Sequence, residues 1–430
     1  MIRLKRISVL PILLSLALYA SAGNRDIRRE LSANPNRYGG SSAPYELVKS
    51  PSHQPPKGYK PFYVSHFGRH GSRYHTSADL CPSLRSLMED AGSKGQLTPL
   101  GKDVLERLTA IDTATRQKDG DLTRVGAREH GEIAGRMVSS CKRVFSGKGK
   151  HILAQSTTSP RVILSMASFC SALKVFNPSL DITCEAGHST SGYLNHYTAE
   201  YKEYYKDGPW RQIRNDWVKA NIDPSGLVSR LFTSAGPFGG KAAGKAATSF
   251  AQDLYSLAKI MPASGLGITL YDVFSEDELY ALWQAGNMDQ YMRKGPSPVS
   301  GGLALAIAKP LLQDFVRKAC IAVETGAADI SADLRFGHGE GLMPLAGLMC
   351  LEEASGVCSQ PDSIAVTWQD YRVTTMASNI QWIFYRNRSG NVLVKILLNE
   401  REQRIPVPTD TWPYYRWDDV RAFYMKILEH

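Results

Sequence analysis

The stretch Phe62-Tyr63-Val64-Ser65-His66-Phe67-Gly68-Arg69-His70-Gly71-Ser72-Arg73 decides how this chain is read. Its first half is apolar, β-branched and aromatic, the pattern of a buried strand. It ends at Gly68, and Arg69, His70, Gly71 and Arg73 then crowd into one turn. Open α/β sheets put their chemistry where a strand end feeds a tight turn. Two guanidiniums beside an imidazole suit an oxyanion, most naturally phosphate, because Arg presents a planar fork of donors and keeps its charge. His70 is the strong nucleophile of the turn, and Gly71 lets backbone approach without a Cβ. A solvated basic turn is the plain alternative for these residues taken alone.

A second stretch argues against that alternative. Asp333-Leu334-Arg335-Phe336-Gly337-His338-Gly339-Glu340-Gly341 again runs from a short strand into a Gly-rich turn, with one His and one Glu. A nucleophile and phosphate clamp in one turn, with a clamp and proton donor in the other, would make a complete phosphomonoesterase.

At this point the chain resembles a known family. Arg69-His70-Gly71-Ser72-Arg73 is similar to the RHGxR signature of the histidine phosphatases. His338-Gly339-Glu340 resembles the His-x-Glu of the multiple inositol polyphosphate phosphatase branch, with Gly339 where that branch usually carries Ala. Leu122-Thr123-Arg124-Val125-Gly126 resembles the family's Leu-Thr-x-x-Gly helix start. Ser159-Pro160-Arg161, followed by Ser165, Ser168 and Phe169, resembles the segment with its third phosphate-binding Arg. The likeness runs from about Tyr59 to the C-terminus and is thin between Ala186 and Lys309. It implies His70 as nucleophile and Glu340 as proton donor. It also implies Arg69, Arg73, Arg161 and His338 as phosphate ligands, and phytate or another inositol polyphosphate as substrate. A broad acid phosphatase on the same scaffold, or a non-catalytic phosphate binder, are the other readings. The binder needs neither His70 nor Glu340. His75 is near enough to the turn to touch substrate. Lys202 and Arg211, in a basic and aromatic run, are candidates for outer phosphates, with a solvated helix face as the alternative.

Composition is consistent with this. The chain has 430 residues, 43% apolar and 21% charged, enough for one large or two modest domains. Residues 1–22 read as a secretory signal: Arg3, Lys5 and Arg6, an apolar stretch from Ile7 to Tyr19, and the small residues Ala20-Ser21-Ala22. That stretch is short for a membrane span and holds Pro11, so no membrane anchor is expected, and the protein is read as periplasmic or secreted. Without the leader's three cations the formal +10 becomes +7, which suits an anionic partner. There is no dense Lys/Arg run or nucleic-acid motif, so nucleic acid is not the expected partner. The seven cysteines allow a few disulfides, with Cys350 and Cys358 spaced for a small loop, or buried free thiols. No cofactor is expected. A metal on His66, His70, His338 and Glu340 would be repelled by Arg69 and Arg73, so no metal is expected either.

Periodicity organises the rest. Thr98 caps a helix with Pro99 at its first position, Thr123 caps the next, and Pro160 to Phe176 is a third. Arg161 lies in that helix's first turn, where backbone N–H groups favour an anion. His151–Ala154 and Leu180–Cys184 read as strands, and Gly23–Lys60 as an extended segment laid over the fold. From Ala186 the texture turns helical and aromatic, with a capping box at Ser275. Ala306–Glu324 reads as one helix, Ala332–Phe336 as a strand, Leu342–Leu351 as a helix, and residues 379–398 as a hairpin around Gly390. The expected fold is α/β: a mixed sheet with helices on both faces, made of residues 23–185 and 306–430, with 186–305 as an inserted, mainly helical domain.

Overall fold

The computed structural model describes residues 25–147, 150–234 and 236–429, so the leader read at 1–22 lies outside the described residues. Eight strands form one sheet: β1 (Lys60–Arg69), β2 (His151–Ser156), β3 (Asp181–Ala186), β4 (Ala332–Gly337), β5 (Asn379–Arg386), β6 (Val392–Leu398), β7 (Arg401–Glu402) and β8 (Tyr414–Arg416). Their order is β3-β2-β4-β1-β5-β6-β7, with β8 also on β6. The β1–β4, β2–β4 and β2–β3 pairs are parallel, and β1–β5 and β5–β6 antiparallel, so the sheet is mixed.

Period-two alternation buries both faces. On β5, Ile380, Trp382 and Phe384 join a cluster with Phe315, Leu345, Trp417 and Tyr424. Ile383 and Tyr385 point the other way, to Ile133, Phe169 and Leu173 of the helices Arg124–Ser140 and Pro160–Phe176. Helices thus cover both faces. A separate helical cluster joins Leu227, Phe250, Leu254 and Trp283 to Leu84, Met88, Leu108 and Ile111.

Local signals hold where capping chemistry is explicit. Thr98 accepts from Gly101 N, Thr123 from Gly126 N, and Ser275 with Glu278 closes a capping box. Three readings change. Residues 25–33 are helical and Pro35–Ser42 is a 3₁₀ turn, where an extended segment was expected; Ile27 and Leu31, one helical turn apart, are both buried. The helix read over 306–324 starts three residues later, as Lys309–Thr325, after a separate short helix, Leu303–Ala306. Pro310 has no N–H to continue the short helix and sits instead in the opening turn of the longer one. The helix expected from Leu342 begins at Gly339, with His338 as its N-cap residue, so Glu340 stands in a helix's first turn. The cysteines of the described residues are free thiols, and those of Cys170 and Cys184 interact side chain to side chain.

His66 is buried on β1 between Phe169 and Phe336, with ring centroids 5.2 and 5.3 Å away. Burial lowers its pKa to about 3. The unfolded chain therefore binds a proton below the ordinary value of about 6.5 that the folded chain refuses, and stability falls as pH drops from there toward 3. His66→Phe is expected to reduce the slope of unfolding free energy against pH between pH 4 and 6 by up to about 1.4 kcal/mol per unit. Urea titrations at pH 4, 5 and 6 measure it; an unchanged slope contradicts the neutral buried imidazole.

Candidate active site

Parallel pairing of β1 with β4 puts Arg69 opposite Gly337, so the turns that follow both strands open on the same edge of the sheet. Backbone bonds fix the first turn from two sides. His70 N donates to Gly337 O at 2.9 Å, Arg69 N to Ser378 O at 2.8 Å, and Ala377 N to His70 O at 2.9 Å. The next three residues are held by the helix Arg124–Ser140. Glu129, buried, accepts from Ser72 N and Ser72 Oγ at 2.7 Å each and from Tyr45 N at 2.8 Å. A Cβ on Gly71 would lie 2.5 Å from Gly126 O, so both chains can meet there only as glycine. Gly71 N donates to Ser165 Oγ at 3.0 Å, which ties the turn to the helix that carries Arg161.

The His70 and His338 rings are 5.6 Å apart, edge to face. With Nδ1 of His70 donating to Gly71 O at 2.9 Å, Nε2 keeps its lone pair. Burial, then Arg69, Arg73 and His338, hold the His70 pKa well below 6.5, so the ring is neutral. Burial first and the arginines next take His338 to about 4, against the pull of Glu340. Thr157 Oγ1 lies 3.3 Å from His338 Nε2.

Arg69, 6% exposed, gives Nη1 to the carbonyls of Ser41 and Thr375 at 2.5 and 3.0 Å. Arg73 gives Nη1 to Tyr74 O at 2.8 Å. The buried Nε atoms of Arg69, Arg73 and Arg161 have no partner among the described residues. Three such donors converging in one place suit an anion. Burial and mutual repulsion lower the Arg73 pKa to about 9, and burial lowers those of Arg69 and Arg161. A Cβ at residue 339 would come to 3.3 Å from Arg69 Nε, so Gly339 leaves room for the guanidinium.

Glu340 sits between two cavities. One, about 480 Å³, is lined by Arg161, Tyr197, Tyr201, Lys202, His338 and Glu340. The other, about 220 Å³, is lined by Arg69, Arg73, His75, Lys259, Lys294 and Glu340 among others. His75 therefore borders the site, its Nδ1 accepting from Ser77 N at 3.0 Å. Arg211 lies on an exposed helix face, with its Nε on Lys206 O and its guanidinium 5.0 Å from the Trp210 ring centroid, and it lines neither cavity. Sequence reasoning missed Glu129, Ser41, Lys259 and Lys294. Lys294 Nζ meets Glu340 Oε1 at 2.8 Å and, first among several causes, this ammonium holds the Glu340 pKa well below the carboxylate range. No group of three or more His, Cys, Asp or Glu suited to a metal occurs among the described residues.

No family model matches the sequence, and no curated protein matches it. Solved structures do. A multiple inositol polyphosphate phosphatase of Bifidobacterium longum, in complex with inositol hexasulfate, is 21% identical with a TM-score of 0.74, over 90% of this chain and 97% of that one. The phytase from D. castellii is 14% identical with a TM-score of 0.60, over 91% of this chain and 85% of that one. The Hafnia alvei phytase is 13% identical with a TM-score of 0.53, over 88% and 98%. The chain has the fold of the multiple inositol polyphosphate phosphatase of Bifidobacterium longum and of these phytases.

Proposed function

We propose that the protein is a metal-independent phosphomonoesterase that removes phosphates from inositol polyphosphates, phytate among them, through a phosphohistidine. The observation that carries this reading is the neutral His70 ring, with Nδ1 committed to Gly71 O, among three arginines whose Nε atoms lack protein partners. Phosphate esters resist attack because the nucleophile meets a ring of negative oxygens, and fixed positive charge removes that barrier. Arg69, Arg73, Arg161 and His338 surround the transferring group. His70 Nε2 bonds to phosphorus as the bond to the inositol oxygen breaks, and Glu340 gives that oxygen a proton. Water then attacks the phosphohistidine and gives its proton to Glu340, and the P–N bond breaks to release phosphate. Residues 186–305 act as a cap over the core, with Lys202 and His75 reaching the outer phosphates. We propose too that the chain is exported by the leader at 1–22; no helix among the described residues is long and apolar enough to cross a membrane.

The test is phosphate release from phytate, from an alkyl monophosphate and from an aryl phosphate, each with and without EDTA. Phytate is expected to be hydrolysed equally well in chelator. Preference for aryl phosphate with phytate untouched supports the broad acid phosphatase instead. Activity lost in EDTA and restored by a divalent ion, with chelation of the substrate controlled, overturns the mechanism.

A further inference from the structure

A proton donor must hold a proton when the ester bond breaks, yet Lys294 first, then Arg69 and His338, favour the Glu340 carboxylate and outweigh its burial. Lys294, Arg69 and His338 face it most closely. Arg73 and Arg161 act on it from the floor of the site, Tyr197 and Tyr201 line the larger cavity beside it, and its place in a helix's first turn adds the helix dipole. These groups differ in what a substrate does to them. A single phosphate on His70 engages Arg69, Arg73, Arg161 and His338. Lys294 is left. It is buried, 5% exposed, with Nζ on Glu340 Oε1 at 2.8 Å and on Gln290 Oε1 at 2.9 Å. It lines the 220 Å³ cavity with Arg69, Arg73 and Lys259, where Glu340 is the one carboxylate of the lining. With Arg69 and Arg73 engaged by the first phosphate, Lys259 and Lys294 remain against one carboxylate; that makes a place for another anionic group, and any group that enters competes with Glu340 for Lys294.

We propose that Lys294 gates the proton donor: a second phosphate of a polyphosphate substrate enters this cavity, takes Lys294 from Glu340, and so lets Glu340 take up the proton it delivers. This rests on the phosphomonoesterase reading above. The proton comes from solvent as the polyphosphate binds. It passes to the leaving oxygen as the P–O bond breaks, and returns to Glu340 from the water that splits the phosphohistidine. A substrate with one phosphate leaves the Lys294–Glu340 pair closed, so its alkoxide departs without help. Selectivity for polyphosphates then lies in the protonation of the acid as well as in affinity. Lys294 is a positioning residue here, acting through Glu340.

Proton uptake on binding tests this without turnover. Inositol hexasulfate is a suitable probe because its sulfates stay ionised, so any proton taken up goes to the protein. Calorimetry near pH 6 in two buffers of different ionisation enthalpy counts the protons. Wild type is expected to take up as much as one proton more than Glu340→Gln, a difference that disappears when inorganic sulfate alone is bound. Lys294→Met is expected to lose the extra uptake and Lys294→Arg to keep part of it. An opposite charge at this range shifts a carboxyl by about one to three units. Lys294→Met should therefore raise kcat/KM for an alkyl monophosphate about tenfold or more near pH 6, while KM for phytate rises. Equal uptake by wild type and Glu340→Gln overturns the gate, as does the same extra uptake with inorganic sulfate. The wild type against Glu340→Gln comparison decides even if Lys294→Met does not fold. A wild-type chain that shows the uptake but hydrolyses nothing would instead refute the phosphatase reading.

Discussion

His70→Ala is expected to lose about 10⁴- to 10⁶-fold in kcat on every phosphomonoester, the scale seen when an enzyme's nucleophile is removed. No neighbour can replace it. Ser72 Oγ is committed to Glu129 at 2.7 Å, and Ser165 Oγ donates to Arg161 O at 2.8 Å while it accepts from Gly71 N. The arginine clamp survives the substitution, because Arg69 is held by the carbonyls of Ser41 and Thr375 rather than by the imidazole. Phosphate should therefore still bind to the variant while turnover stops. Wild type quenched in alkaline detergent should carry a phosphoryl group that is labile in acid and stable in base, and that maps to His70. Activity within about tenfold of wild type, or a label on Ser or Asp, would remove His70 from the role.

Glu340→Gln is expected to slow phytate by about 10²- to 10⁴-fold, the ordinary range for a lost general acid. Aryl phosphates should lose much less, because phenoxide leaves without a proton. Gln keeps the size of the side chain and an oxygen for Lys294 Nζ, so the comparison reports protonation rather than collapse of the cavity. Pre-steady-state release of the alcohol isolates the ester-cleavage step from hydrolysis of the phosphohistidine. Equal slowing of both substrate types in that step would leave Glu340 as a carboxylate that activates water, with the leaving group's proton supplied from elsewhere in the cleft.

What could be read in advance was what the chain carries locally. Arg69, His70, Gly71 and Arg73 are contiguous, and a strand that ends in such a turn states its own chemistry. Arg161 is legible because a Ser-Pro pair opens its helix. The residues that act through distant contacts were silent. Lys294 is 46 positions from Glu340, Glu129 is 57 from Ser72, and Ser41 is 28 from Arg69. Before folding, Glu129 is one more charge in a helix of mixed polarity, and Lys294 one of two cations at a helix C-terminus. The start of the helix at Gly339 was hidden because glycine before an acid reads as loop. Arg211 had charge and aromatic neighbours in its favour, and its helix presents it to solvent instead.

The central position of β1 sets the order in which the molecule comes alive. This strand leads directly into His70, the proposed nucleophile, and emerges early in synthesis, but both of its partners, β4 and β5, belong to the last hundred or so residues. Until residues 332–386 arrive, β1 has two bare edges, His70 lacks its Gly337 and Ala377 contacts, and Glu340 has not been made. Pairings across such separations are slow to form, because the loop must close before the contacts repay it. A nascent or truncated chain that stops short of β4 therefore exposes a long apolar strand and no catalytic power, and C-terminal nonsense products of this protein are aggregation risks rather than weak enzymes.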